Sequence, residues 1–281
     1  MTGATAANLD QMRLPFENVQ SVFLDESHIR FRIALALIAV LPMAGPANGE
    51  PLAANAERYR PLIVQEIDHS LAGAHAVRAD NIEAAKNAWI ESRTGWERAE
   101  VFTSGFTELD REIDAWSNAV TGFHTIEAKL FGAGRVDLQS ETDALIFHPT
   151  DLQTKIRDTT LTAQGLIEGT AKLAYEIGES KADGGEPRFS GTSLDDVRNN
   201  VDGIEFVIRI VFADAVAAAD PKLAGELRSE IAQLQAMLRV PALARIEARE
   251  LRGKSEQLII GFQTTAPLLG LTRPSLQDLI Q

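Results

Sequence analysis

The chain has 281 residues, of which 45% are hydrophobic and 24% are charged, with a formal net charge of −13 and no cysteine. These values are typical of a globular protein, and they exclude disulfides, thiolate metal sites and a cysteine nucleophile. They also exclude nucleic acid as the main partner, because binding to phosphates needs a basic protein face. A bound metal must therefore take Asp, Glu and His as ligands, which favours hard or borderline metals.

The N-terminal segment has the pattern of an export signal. Arg30 and Arg32 precede an apolar run at 33–41 that is too short to span a bilayer, and small residues suited to signal peptidase follow it. We expect residues 1–47 to be the signal peptide and its lead, and residues 48–281 to be the exported protein, with the exact cleavage site left open. A buried core helix with a polar tail is the alternative interpretation.

The remaining chain predicts helices and no strand, so the expected fold class is all-α. Apolar residues recur at three- and four-residue spacing, and Gly, Pro and capping residues separate the periodic stretches. The predicted helices lie at about 57–78, 82–103, 108–130, 148–180, 194–219, 221–239 and 242–261, with a short one at 274–280.

Two features set the predicted organisation of these helices. His148-Pro149 is typical of a helix start and predicts a polar connection before the fourth helix. The breaker around Gly184-Gly185 predicts a boundary between two halves, about 57–181 and 188–281. We expect the halves to form two packed up-and-down four-helix bundles.

Two pairs of closely spaced side chains, one His–Glu pair and one Glu–Glu pair, are the first candidates for metal ligands. His124 and Glu127 are three residues apart, so on a helix they share one face and can chelate one ion. Alone, the pair is weak evidence for a metal, because a core histidine or a surface hydrogen bond more often explains this spacing. Glu97 and Glu100 share a face of the preceding predicted helix, and two facing pairs would form a cage.

Asp114 depends on the continuity of the third predicted helix. In an unbroken helix it would lie about 15 Å along the axis from His124, too far to share a metal. A break at Gly122 or at Ser117-Asn118 would remove that restriction. The alternative role of Asp114, like that of Asp110, is a favourable charge near the helix N-terminus.

Several motifs, in this order and spacing, resemble the EfeO-type imelysin-like family over about residues 57–260. They are Trp89–Glu100, Leu109–Asp114, Thr121–Glu127, Asp151–Lys155 and Leu194–Gly203. The resemblance implies a periplasmic, all-helical protein of paired four-helix bundles. It implies the short form of the family, without an N-terminal cupredoxin domain, and the sequence is also similar to the alginate-binding members.

The resemblance also implies the site residues. It gives His124 and Glu127 as motif ligands and Glu97, Glu100, Asp114 and Glu176 as acidic neighbours. One departure concerns the segment 189–194, where Gly191 and Ser193 stand in positions at which relatives tend to carry His and Asp. This departure leaves open whether the second half contributes a ligand and which metal is preferred.

Three functions follow from these features. The first is capture of a metal ion, iron before copper, zinc or calcium, for an uptake system with an inner-membrane permease. The second is binding of alginate, either through bridging metal ions or through a basic patch on the seventh predicted helix. The alternative interpretation of that patch is an ordinary solvent-exposed helix face with no ligand. The patch would consist of Arg239, Arg245, Arg249 and Arg252. The third, hydrolysis, is not expected, because His-x-x-Glu lacks the second histidine of His-Glu-x-x-His and no serine nucleophile motif occurs.

Overall fold

The computed structural model of the chain describes residues 49–275. The predicted signal peptide and most of the short helix predicted at 274–280 lie outside this range. Between residues 49 and 275 the secondary structure is helical and contains no strand, which confirms the all-α class. No helix in this part of the chain is both long and apolar enough to cross a membrane.

The helices follow one another with short connections. They are α1 (Gly49–Ala76), α2 (Ile82–Ala99), α3 (Thr107–Ile113), α4 (Phe123–Glu127), α5 (Gln139–Asp158), α6 (Ala163–Glu176), α7 (Ser193–Val207), α8 (Ala213–Ala219), α9 (Pro221–Met237) and α10 (Ala248–Leu268). A 3-10 turn, Glu100–Gly105, follows α2. Single π-helical turns extend α4, α6 and α7, at Ala128–Gly132, Ile177–Lys181 and Ile208–Phe212.

Local capping chemistry accounts for the helix starts that were predicted correctly. The Asn81 side chain accepts hydrogen bonds from two backbone N–H groups of the first turn of α2, at 2.9 and 3.1 Å. Asp220 caps α9 in the same way, with Pro221 in its first turn. Such caps satisfy N–H groups that have no partner within the helix, so short polar residues mark these starts.

The prediction of one helix over 108–130 is wrong. Helix α3 ends at Ile113, residues 114–122 form a loop, and α4 begins at Phe123. The loop folds back on itself, because Gly122 has φ +94° and a Cβ built there would lie 2.7 Å from the Cβ of Ala115. Only glycine fits this backbone conformation at this close approach.

The prediction of a helix over 148–180 is also wrong. Helix α5 begins at Gln139 and continues through Pro149, because one continuous face on both sides of the proline is buried and stabilises the helix there. That face comprises Thr142, Leu145, Pro149, Leu152 and Ile156. The chain then breaks at 159–162, where the Thr162 hydroxyl accepts the backbone N–H of Gly165 at 3.0 Å and begins α6.

The seventh predicted helix, at 242–261, begins later than expected. Pro241 does not begin it; a 3-10 turn, Leu243–Arg245, intervenes and α10 begins at Ala248. Arg239 and Arg245, which were predicted to lie on this helix, are therefore outside it.

Close packing places α2 in the middle of the structure. Helix α1 packs on α2 and α5, α2 packs on α7, and α6 packs on α7 and α10. The approach of α1 to α2 is so tight that a Cβ at Gly95 would lie 2.4 Å from the carbonyl oxygen of Glu66. Trp89, Trp96 and Phe123 are fully buried in the core. The division into two four-helix bundles stays a prediction.

Candidate metal centre

Polar side chains from five segments converge beside this aromatic core. Arg93 and Glu97 come from α2, Glu100 begins the 3-10 turn that follows it, and His124 and Glu127 come from α4. Asp114 lies in the 114–122 loop, Lys181 and Glu186 lie after α6, and Asp196 and Asn200 lie on α7. Most of these side chains are buried, so each needs hydrogen-bond or charge partners.

His124 lies at the centre of a first group of side chains, which it forms with Asp114, Glu127 and Glu186. Its Nδ1 atom is 3.0 Å from Oε2 of Glu127, and its Nε2 atom is 2.7 Å from Oε1 of Glu186 and 3.6 Å from Oδ1 of Asp114. Burial by itself lowers the pKa of the imidazole, but the three carboxylates outweigh it and raise this pKa to about 9. In the metal-free protein at neutral pH, His124 is therefore a cation that donates from both ring nitrogens.

The other motif residue, Glu127, is held by main-chain donors. Its Oε1 atom accepts the backbone N–H groups of Phe189 and Ser190 at 2.6 and 2.8 Å, while Oε2 faces His124. Burial alone would raise the pKa of Glu127, but these hydrogen bonds lower it below its ordinary value. Glu127 is thus ionised and connects α4 to the loop that carries Glu186.

Asp114 reaches His124 because the third predicted helix is broken. The 114–122 loop contains both break points that the sequence suggested, Ser117-Asn118 and Gly122, and it brings the two side chains to 3.6 Å. The guanidinium of Arg93 also donates to Oδ1 of Asp114. Burial raises the pKa of Asp114, against the opposing effects of Arg93 and His124.

Glu97 and Glu100 form a second group with Asp114, in which one carboxylate oxygen of each lies within 4.8 Å of the others. Two buried cations contact this group. Nζ of Lys181 lies 2.6 Å from Glu97 and 3.8 Å from Glu100, and Arg93 contacts both Glu97 and Asp114. Burial would raise the pKa of Glu97, but Arg93 and Lys181 lower it. The protein's own cations therefore already neutralise much of this second group.

The buried network continues onto α7. Arg93 donates to Oδ2 of Asp196 from Nε and Nη2, at 3.2 and 2.8 Å. Lys181 donates to Oδ1 of Asn200 at 2.9 Å, and the Asn200 amide donates to the carbonyl oxygen of Glu97 at 3.1 Å. Burial raises the pKa of Asp196 to about 7 even though Arg93 opposes it. These bonds fix α7 against the end of α2.

A cavity of about 570 Å³ lies beside the two groups. Asp114, Trp116 and Glu186 are on its wall, and six acidic residues line it against three basic ones. Glu176 also lines it and is paired with Lys172 at 3.0 Å, but it belongs to neither group. An acidic cavity raises the local concentration of cations.

The structure brings together most of the predicted site residues and adds others. His124, Glu127 and Asp114 are in contact around one imidazole, while Glu97 and Glu100 join them through Asp114. Glu186 was missed, because it lies in the breaker between the predicted halves, where no periodicity indicates which side chains point inward. Buried Arg93 and Lys181 were missed because cations in helical sequences usually lie in solvent.

One imidazole and two carboxylates beside an acidic cavity fit a borderline metal such as iron. Ligands about 2.1 Å from such an ion lie about 3 Å apart when they are adjacent in its coordination shell. The separations from His124 to Glu186 and to Asp114, 2.7 and 3.6 Å, lie on either side of that value. The fold and the site together define an all-helical protein with a buried His-carboxylate cluster.

Comparison with known proteins gives the family. The imelysin family matches residues 107–259, more than half of the chain. The iron uptake system component EfeO of Escherichia coli O157:H7 is 28% identical over 184 residues, 62% of this chain and 49% of that protein. The same component of Yersinia pestis is 30% identical over 159 residues, 53% of this chain and 42% of that protein.

The chain belongs to the imelysin family. The resemblance to the EfeO-type family that was predicted from its motifs is thereby confirmed. The chain spans about half the length of the curated relatives it matches.

Proposed function

We propose that this protein is a periplasmic binding protein that captures a metal ion, iron first, and passes it to an EfeO-type uptake system with an inner-membrane permease. The observation that carries the proposal is the group formed by Asp114, His124 and Glu186, whose ligand atoms lie within 4.8 Å of one another. The names of the relatives, which are iron uptake components, support iron as the cargo.

The geometry supports a simple order of events for capture. The acidic cavity attracts the cation and leads it to Asp114 and Glu186 on its wall. The ion then replaces the proton on Nε2 of His124, while Nδ1–H continues to donate to Glu127. Binding of one ion therefore releases a proton, and two carboxylates balance the charge of the cation. Glu97, Glu100 and Glu176 stay predicted neighbours of the ion.

We propose no enzymatic activity, although the family carries the label of a peptidase. A metal-dependent peptidase needs a general base beside the metal-bound water. Glu127, the carboxylate next to His124 in the motif, accepts two backbone N–H groups and the imidazole. It is therefore already occupied and a poor base.

The test is a calorimetric titration of the chelator-stripped protein with Fe²⁺ under anaerobic conditions, and with Cu²⁺, Zn²⁺ and Ca²⁺. We expect one saturable site that is lost in His124→Gln and weakened in Glu186→Gln, with unchanged circular dichroism. Glu226→Gln is the matched control, because Glu226 is an exposed carboxylate paired with Lys222 on α9. Undiminished binding in His124→Gln would overturn the proposal.

Alginate binding is the second candidate, and its basic patch is less continuous than the sequence predicted. Arg239 lies beyond the end of α9, Arg245 lies in a 3-10 turn, and Arg252 already donates to Asp183 at 2.9 Å. Metal bridging through the site above is the stronger form of this hypothesis. Alginate retention that survives complete removal of metal by a chelator would argue against bridging and favour the patch.

A further inference from the structure

We infer that Glu127 is a positioning residue that does not itself coordinate the metal. It selects the tautomer of His124 and anchors the loop that carries Glu186. The inference rests on the proposed function only in that it assumes a metal at Nε2 of His124. It assigns the two residues of the His-x-x-Glu motif different roles, one that binds and one that orients.

The first argument is the number of acceptor sites on the carboxylate. An ionised carboxylate has about four lone-pair directions, and three of those on Glu127 are used. Oε1 accepts the N–H groups of Phe189 and Ser190, at 2.6 and 2.8 Å, and Oε2 faces Nδ1 of His124 at 3.0 Å. Only one lone-pair direction is left for a metal, on Oε2 beside the imidazole, and the side chain that carries it is 1% exposed.

The second argument is access. Among the residues that the structure describes, Asp114 and Glu186 line the 570 Å³ cavity and Glu127 does not. Glu127 lies on a narrow crevice beside Trp116 and Phe189, which His124 and Glu186 also border and which has no room for a water molecule. An ion arriving through the cavity therefore meets the Nε2 side of the imidazole, which faces Asp114 and Glu186, and not the Nδ1 side.

The third argument is the tautomer. Both ring nitrogens face a carboxylate, Nδ1 that of Glu127 at 3.0 Å and Nε2 that of Glu186 at 2.7 Å, so a neutral ring can carry its proton on either. A cation bound by Glu186 takes that acceptor away from Nε2, and the fixed acceptor at Nδ1 then keeps the proton there. Glu127 is such an acceptor, because the two backbone donors hold its carboxylate in place. The lone pair of His124 is then on Nε2 and directed at the cation site. A hydrogen bond from the second nitrogen of a histidine ligand commonly has this effect.

The fourth argument concerns Glu186. Phe189 and Ser190 follow it closely in the 182–192 loop, and their N–H groups are tied to Glu127 on α4. One carboxylate thus holds both the imidazole and the segment that supplies the second ligand. Removal of the Glu127 carboxylate should therefore loosen both His124 and Glu186, while the same side chains remain the ligands of the metal.

The experiment compares Glu127→Gln with Glu186→Gln, using Co²⁺ alone as the probe of the coordination shell. Glutamine has one acceptor oxygen, so it can keep the backbone bonds or the imidazole bond but not both. If the oxygen stays on the loop, the amide N–H faces Nδ1 and moves the proton to Nε2. We expect one Co²⁺ per chain, affinity reduced 10- to 100-fold, and an unchanged Co²⁺ absorption spectrum in Glu127→Gln.

A second readout reports the tautomer without any metal and compares proteins with and without the Glu186 carboxylate. Long-range ¹H–¹⁵N spectra, at a pH where the ring is neutral, should show more Nδ1–H in Glu186→Gln than in the wild type, and Nε2–H in Glu127→Gln. If Glu127→Gln does not fold, Glu186→Gln still decides, because an Nε2–H tautomer there would overturn the inference.

The outcomes separate the inference from the proposed function. A Co²⁺ spectrum that changes in Glu127→Gln as it does in Glu186→Gln would make Glu127 a ligand and overturn the inference. Wild-type affinity and tautomer in Glu127→Gln would overturn it as well. If the wild-type protein binds no metal, the proposed function fails, whereas the tautomer spectra still test the positioning role.

Discussion

Replacing Lys181 by methionine removes one of the two buried cations of the site while keeping a side chain of similar length. Lys181 is 1% exposed, and its Nζ atom lies 2.6 Å from Glu97, 2.9 Å from Asn200 and 3.8 Å from Glu100. Without the ammonium, two buried carboxylates lose their shared counter-charge. We expect a folded protein that is markedly less stable than the wild type.

The size of the loss follows from this burial. Removing one partner of a buried ion pair costs about 3–5 kcal/mol, and the loss here should lie at the lower end, because Glu97 keeps its contact with Arg93. For a chain of this size that corresponds to a fall in Tm of roughly 10 °C. The loss should be larger at pH 8 than at pH 5, because the carboxylates that lose the ammonium can bind protons at the lower pH.

Urea unfolding followed by circular dichroism measures this change, with Lys222→Met as the control. Lys222 is exposed and pairs with Glu226 at 2.7 Å, so its loss should have no measurable effect. The double variant Glu97→Gln/Lys181→Met should recover part of the stability, because it removes a buried charge together with its partner. A loss in Lys181→Met no larger than that of the control would refute the reasoning.

Three further predictions concern the loop, the pH and a remote cap. Gly122→Ala should lower the free energy of unfolding by roughly 1–3 kcal/mol and weaken metal binding, because the backbone at φ +94° and the contact with Ala115 must change. Thermal unfolding measures the loss, and wild-type stability in the variant would contradict it. The carboxylates around His124 raise its pKa from 6.5 to about 9, so the protonated ring stabilises the folded metal-free protein. This stabilisation is complete below pH 6.5 and is lost as the pH rises through 9. Metal must displace the proton of His124, so the apparent metal affinity measured by calorimetry should rise by up to about tenfold per pH unit until pH 9. An affinity that does not change with pH in this range would show that His124 is not a ligand. Asp220→Ala should lower stability by about 1 kcal/mol and leave metal affinity unchanged, which separates global stability from the site.

The sequence by itself determined the features that depend on neighbours along the chain. The all-α class follows from residue propensities and from three- and four-residue spacing, and the starts of α2 and α9 follow from Asn81 and Asp220, whose side chains bond the next turn. The pairing of His124 with Glu127 is equally local, because one helical turn brings them to 3.0 Å. Family membership was also readable, because several motifs occur in a characteristic order.

The tertiary structure alone decided which other groups meet that pair. Asp114 reaches His124 only because the 114–122 loop interrupts the stretch that was predicted as one helix. Glu186 arrives from a segment 62 residues away, and its loop is held by backbone N–H groups that no side-chain pattern records. Burial, finally, is a property of the assembled fold: it lowers the pKa of His124, and the three carboxylates that the fold places around the ring outweigh it and raise this pKa.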